Sequence, residues 1–394
     1  MFTAEEIVDA AEAFAAAAPV EIYPEAVKRV WLLAGRLRAK LNDRDGEVRC
    51  QIGAFERTLA MREGVRGSPG AEASWISDAL IELRRIPGKQ DQEIALEIEL
   101  RRLQRASLDE MGTIPLEFDV SAERAAVAKH FGDLPLSETL RQFALLERSA
   151  DPEALRREAL DVAQSAPLMA MMGVHHINAE GRTVVKSPGA PATGEPEEGW
   201  FDHMIARSES LRRHQVVAGL IEPARTLIYA RFGIEERDIG PIIQFSPIVP
   251  AGQKPLLVLG FTRFFQGDLM SAAHLVIPQL ESIVRQILTL TGHNPSKLRD
   301  DGTEEDFALS GLFERFADAL AQVLGKPMTE EIERLFNRRP GPALRHEFAH
   351  GQIGAGACFD PDVYYAVWLI YRLCYVSVAQ AWDDVVASGI AASA

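Results

Sequence analysis

A mainly α fold is expected, with an array of helices in the N-terminal part, a helical bundle in the C-terminal part and one small β-hairpin between them. Three observations carry this. Apolar residues recur at helical spacing over most of the chain. A short β-rich stretch around a glycine-ended turn interrupts them near residue 177. With 394 residues and 47% apolar content, the chain can build two or three ordinary cores. A compositional change near residue 166 sets the expected domains: residues 1–165, a hairpin and Pro/Gly-rich connector over 166–200, and residues 201–394.

Thr3 is the expected N-cap of an alanine-rich amphipathic helix running to Ala17, with Glu6 at capping-box spacing. Further helices are expected over residues 23–41, 74–84, 91–105, 121–130, 137–148 and 152–164. Residues 91–105 are dense in Glu and Arg and read as a solvated face laced with ion pairs. No fixed repeat period emerges, and stacked helical hairpins remain one open arrangement of these segments. Residues 173–177 and 182–186 flank Asn178-Ala-Glu-Gly181 as a β-hairpin. His175 and His176 are neighbours on a strand and point to opposite faces, so a structural or surface role is expected rather than joint metal ligation.

Beyond residue 201 the helical pattern becomes more regular. Residues 203–232 carry Arg207, Arg212, Arg213, Arg225 and Arg231, and residues 269–290 form a second helix bent at Pro278. On that helix His274, Glu281 and Arg285 fall within about 20° of one line, as a surface ion pair or as a polar stripe lining a site. A turn at Asp300-Asp-Gly-Thr303 leads to helices over 309–324 and 329–338. A short helix then opens behind Gly341-Pro342 and stops at Gly351. The last segment, 361–386, reads as a buried central helix. Its stretch 363–382 is long enough to span a bilayer but is broken by Arg372 and Gln380, so no membrane association is expected.

The net charge of −15 is spread along the chain, which confines any nucleic-acid contact to a local patch. Cys50, Cys358 and Cys374 have no CxxC spacing and cannot all pair, as in a reducing compartment. The first residues, MFTAEE, carry acids where a signal peptide carries bases, so a cytoplasmic location is expected.

The short helix holds the most informative residues, Leu344-Arg-His-Glu-Phe-Ala-His-Gly351. From His346 they read HExxH, in which His346 and His350 would bind zinc and Glu347 would serve as base. A third ligand is hard to find, because no His or Glu follows His350, and Ile353 and Gly356 stand where an extended zinc motif needs Gly and His. From Arg345 the same residues read RxxxxH followed by glycine. Arg334, Arg338, Arg339 and Arg345 lie within one short stretch with no acid among them, a cationic patch suited to phosphate. On a straight helix Arg345 and His350 would stand about 140° apart, so they converge only over an irregular helix start or across two subunits.

This motif, the preceding segment Pro278-Gln-Leu-Glu-Ser-Ile-Val-Arg285 and the Asp301-Gly302 turn resemble the HEPN superfamily over about residues 200–390. The likeness is to the family with an Arg-Asn-x-x-x-His-Gly motif related to an endoplasmic-reticulum-membrane-associated RNase-like protein, with His346 in place of the usual Asn. The resemblance implies a HEPN-like helical bundle that homodimerises with its motifs at or near the interface. It also implies a metal-independent endoribonuclease, a toxin or phage-defence effector, that needs no cofactor and leaves 2′,3′-cyclic phosphate ends on RNA. His350 would be the acid–base group, Arg345 the stabiliser of the phosphorane and His346 an orienting or second acid–base group. Glu281 and Arg285 would hold these residues, Glu347 would orient, and Arg334, Arg338 and Arg339 would contact RNA. A regulatory protein partner would dock on residues 1–165. The alternatives are a non-catalytic HEPN-like RNA- or nucleotide-binding or regulatory module, and a HExxH zinc metalloprotease.

Overall fold

The protein is described here from a computed structural model covering residues 3–19, 24–112 and 117–393. Its secondary structure is mainly α-helical, with two small antiparallel two-stranded sheets. The chain forms two compact units: Met1–Pro115 with Ile177–Val184, and Leu116–His176 with Val185–Ala394.

The first unit is built from α1 (Ala4–Ala17), α2 (Pro24–Lys40), α3 (Arg44–Met61), α4 (Pro69–Leu83) and α5 (Gln90–Glu110). Each packs on its successor, an arrangement of consecutive helical hairpins. The expected capping box at Thr3 is present: the Glu6 N–H donates to Thr3 Oγ1 at 3.2 Å and the Thr3 N–H to Glu6 Oε2 at 2.8 Å. Tyr23, the expected start of the second helix, lies outside the described residues. Helix α3 was not expected. Its apolar and charged residues are mixed without a clean stripe, yet Asp43 caps it by accepting from the Gly46 N–H at 2.9 Å, and Cys50, Ala54 and Phe55 are buried. Helix α5 takes ion pairs from the end of α4, with Arg84 Nε on Glu93 and Nη2 on Glu97, each at 2.7 Å, while within α5 Arg102 lies 3.9 Å from Glu99. Apolar burial in this unit is local: one cluster gathers Val8, Ala34 and Cys50, another Phe55, Ile76, Leu80, Leu83 and Leu103.

The second unit begins with α6 (Ser121–Phe131), α7 (Leu136–Ala144), α8 (Pro152–Ser165) and α9 (Pro167–Ala170). Val127, Phe131, Leu140 and Phe143 from α6 and α7 belong to the same core as the C-terminal helices, so the boundary of packing lies well ahead of the compositional change at residue 166. The hairpin follows as β1 (Val174–Ile177) and β2 (Thr183–Ser187). Next come α10 (Glu198–Val216), a π-helical turn over Val217–Ile221, α11 (Glu222–Phe232), α12 (Glu236–Phe245) and α13 (Lys254–Gln266). Residues 269–290 are two helices, α14 (Leu269–Val276) and α15 (Gln279–Leu290), because Pro278 lacks the N–H that a continuous helix needs.

A second short hairpin, β3 (Ser296–Leu298) and β4 (Glu304–Asp306), occupies the expected turn region. It leads to α16 (Leu309–Leu324), α17 (Lys326–Phe336), α18 (Leu344–Ala349), α19 (Pro361–Val378) and α20 (Ala387–Ser393). Helix α19 is the expected central helix, buried over Val363–Tyr371. Two of its buried polar groups are satisfied on α7: Trp368 Nε1 donates to the Phe143 carbonyl at 2.9 Å and the Tyr371 hydroxyl to the Leu140 carbonyl at 3.0 Å. Among the described residues, no helix is long and apolar enough to cross a membrane.

Candidate functional site

The motif helix α18 is placed by the chain just before it. A Cβ on Gly341 would lie 2.5 Å from the Arg334 carbonyl oxygen and 2.9 Å from that of Arg338, so only glycine lets the chain pass this close to the end of α17. Pro342 then stands ahead of the helix rather than in its first turn. Ala343, buried at the N-cap, adopts the left-handed conformation with φ 49°, a strained position for a residue with a Cβ. At the other end Gly351 takes φ 63° and closes the helix, as expected.

Arg345 and Glu281 meet. Arg345 Nε donates to Glu281 Oε2 at 3.0 Å, and the same oxygen accepts the Leu309 N–H at 3.1 Å. The other Glu281 oxygen accepts from Arg285 Nη2, which also donates to the Phe307 carbonyl at 2.9 Å. The stripe of His274, Glu281 and Arg285 therefore survives the break at Pro278 as a surface turned to α18: the His274 ring meets Phe348 edge-on, with centroids 5.1 Å apart. Glu281 reaches the surface only slightly, while Arg345 keeps a third of its side chain exposed. Among the described residues no hydrogen bond engages Arg345 Nη1 or Nη2, which leaves both amino groups to face an anion.

His346 and His350 are exposed, and their rings lie with centroids 4.3 Å apart, tilted by 58°. No hydrogen bond or ion pair joins either to Arg345 among the described residues, and the short helix carries Arg345 and His350 to different partners. Glu347 is bound by Arg339. For the zinc reading, His346 and His350 would need at least one further ligand, and no group of three or more His, Cys, Asp or Glu placed to hold a metal occurs among the described residues.

The arginine patch is arranged differently from its sequence. Arg334 is buried: Nε and Nη2 donate to Glu209 Oε2 and Oε1 at 2.7 and 3.0 Å, and Nη1 to Glu330 at 2.8 Å. Burial opposes its charge, but the Glu209 hydrogen bonds and charge outweigh this and hold its pKa above the usual guanidinium value. Arg334 is thus an internal ion-pair partner rather than a phosphate contact. Arg338 pairs with Glu333 at 3.0 Å and lies 3.7 Å from Asp202, and Arg339 is taken by Glu347. The acids that neutralise the patch come partly from α10, far away in sequence, which is why they are invisible in the 334–345 stretch.

One contact has no counterpart in the sequence expectations, which gave His176 a structural or surface role. His176 on β1 and His203 on α10 are hydrogen-bonded, Nε2 to Nδ1 at 3.1 Å, and Ser187 Oγ lies 3.1 Å from the same His176 Nε2. Burial lowers the pKa of His176, helped by His175, and burial lowers that of His203, helped by His176 and Arg207. Two partners on one ring nitrogen do not form a nucleophile–base–orienter relay, which needs a partner on each nitrogen. The placement of His203, Arg207 and His214 at i, i+4 and i+11 along α10 was the available sequence signal.

Compared with protein-family models, with curated proteins and with solved structures, the chain finds no match.

Proposed function

We propose that the second unit is a HEPN-like domain that cleaves RNA without a metal, with α18 as its active helix. The observation that supports this reading best is the Glu281–Arg345 pair: it fixes the guanidinium through Nε and leaves both Nη groups for a phosphate, while the same short segment exposes two imidazoles, His346 and His350. In this reading His350 takes the proton from the ribose 2′-hydroxyl or delivers one to the leaving 5′-oxygen, and His346, in ring contact with it, shares or orients that work. The 2′-oxygen attacks phosphorus, the 5′-oxygen leaves, and the strand ends in a 2′,3′-cyclic phosphate. Arg345 stabilises the charge of the phosphorane.

Because Arg345 and His350 have separate partners within one chain, the reading includes a homodimer in which one subunit's Arg345 completes the site of the other. A cytoplasmic toxin or defence effector, restrained by a protein bound to the first unit, is the biological setting it implies. Metal-stripped protein incubated with RNA tests the reading: cleavage to cyclic-phosphate ends, resistant to chelator and lost in both Arg345→Ala and His350→Ala, is the expected result. RNA binding without cleavage would favour the non-catalytic module, and chelator-sensitive peptide hydrolysis with zinc on His346 and His350 would favour the metalloprotease.

A further inference from the structure

The His176–His203 pair forms one wall of a cavity of about 750 Å³ inside the second unit, between β1, α10 and the chain on either side of α18. This is within the size range of small-molecule sites, roughly 300 to 1,000 Å³. Its walls are largely apolar, with Leu211, Leu344 and Val363 among them; its basic groups come from α10 and β1, and three carboxylates, Glu347, Asp360 and Asp362, come from α18 and the start of α19.

The electrostatic character follows from which charges are already matched. Asp362 is bound by Arg213 Nε at 2.5 Å, and Glu347 by Arg339. Asp360 accepts the Asp362 N–H at 2.8 Å as the N-cap of α19 and has no ion pair among the described residues, and burial raises its pKa above the usual carboxylate value. Arg207 also has no ion pair among the described residues and lies next to His203. The two histidines share one hydrogen bond. If His203 Nδ1 accepts from His176 Nε2–H, His203 Nε2–H is left as a free donor beside the Arg207 guanidinium.

We propose that this cavity binds a small organic anion, an apolar body bearing one carboxylate or phosphate, with the anionic group on Arg207 and His203 and the body against Leu211, Leu344 and Val363. The planar guanidinium suits either head group. The site is separate from the Arg345–Glu281 contact and does not depend on the ribonuclease reading, because the ligand is held by a different set of residues.

Fluorine NMR of the full chain with 4-fluorophenyl phosphate, 4-fluorobenzoate and 4-fluorophenol tests it, and the first two probes tell phosphate from carboxylate. Saturable one-to-one binding of at least one anion is expected, with the neutral phenol at least about tenfold weaker, a difference of about 1.4 kcal/mol. Arg207→Ala should weaken the anion at least tenfold without changing the phenol. Leu211→Trp, at a surface-reaching position that tolerates size, should block all three, with melting temperatures showing that both variants fold. His350→Ala should bind like the wild type, so loss of ribonuclease activity and loss of this site are separately visible. No saturable binding of either anion, equal binding of phenol, or anion binding unchanged in Arg207→Ala would overturn the proposal.

Discussion

Glu281 and Arg345, 64 residues apart in the chain, are joined by a 3.0 Å hydrogen bond from Arg345 Nε to Glu281 Oε2. The carboxylate is itself pinned by Arg285 and by the Leu309 N–H, so the guanidinium inherits its position from α15 and the start of α16. If α18 cleaves RNA, Glu281→Ala should lower kcat by about 10- to 100-fold through misplacement of Arg345, with a smaller change in KM. Glu281→Gln, which can still accept from Arg345 Nε, should recover part of the loss. Arg345→Ala should cost more, about 10²- to 10³-fold. Equal effects of all three on KM alone, in single-turnover assays, would argue for a binding role instead.

The separation of Arg345 and His350 in one chain leads to a complementation test. Arg345→Ala and His350→Ala chains, each inactive alone, should regain cleavage when mixed and allowed to exchange subunits. In a twofold dimer with shared sites, half the dimers are mixed and each carries one intact site of two, so about one quarter of wild-type activity is expected. A mixture as silent as its parts would place the complete site within one chain.

Glu209 is fully buried and faces Arg334 through two hydrogen bonds, with Arg213 Nη1 3.8 Å away. Removing it leaves Arg334 with Glu330 and Arg213 with Asp362, so two interior guanidinium groups lose their shared buried counter-charge. Glu209→Ala is therefore expected to destabilise the second unit by about 3–5 kcal/mol, measured by urea denaturation. Glu330→Ala, which removes the more exposed partner of Arg334, should cost much less.

Acid should weaken the fold through the His176–His203 pair. Both pKa values are lowered in the folded protein from an ordinary value of 6.5, chiefly by burial and further by His175 for the first and by His176 and Arg207 for the second. The unfolded chain then binds protons that the folded one refuses. This contribution to stability is complete above about pH 6.5 and is lost as the pH falls through the folded values. The melting temperature should decline from pH 7 to pH 5, and His203→Gln should flatten that decline. An unchanged slope in the variant would assign the acid sensitivity to other groups.

Much of the fold was legible in the sequence, for identifiable reasons. The capping box at Thr3, the turn at Asn178–Gly181 and the apolar run of α19 each act through near neighbours or one strong periodicity, and each has its expected local form, while the proline at 278 divides two helices where a bend in one was expected. Helix α3 was not legible because its burial is set by packing on α2 and α4, which no stripe in its own sequence announces. At the site, the contact of Glu281 with Arg345 was foreshadowed by the polar stripe on α15. The neutralisation of Arg334 was hidden, since Glu209 lies 125 residues away and only the tertiary fold brings it in. The His176–His203 contact was hidden in the same way, across 27 residues and two kinds of secondary structure.

The hairpin has a consequence for how this architecture can be inherited. Residues Ile177–Val184 pack with the first unit, while the strand residues on both sides of them pack with the second. The chain therefore enters the first unit twice, and no single cut in the gene separates the two units whole. Replacing the first unit by recombination would need three junctions, near residues 115, 177 and 184, made together. A lineage that varied the first unit would do so by substitution on its helices more readily than by exchange of a module.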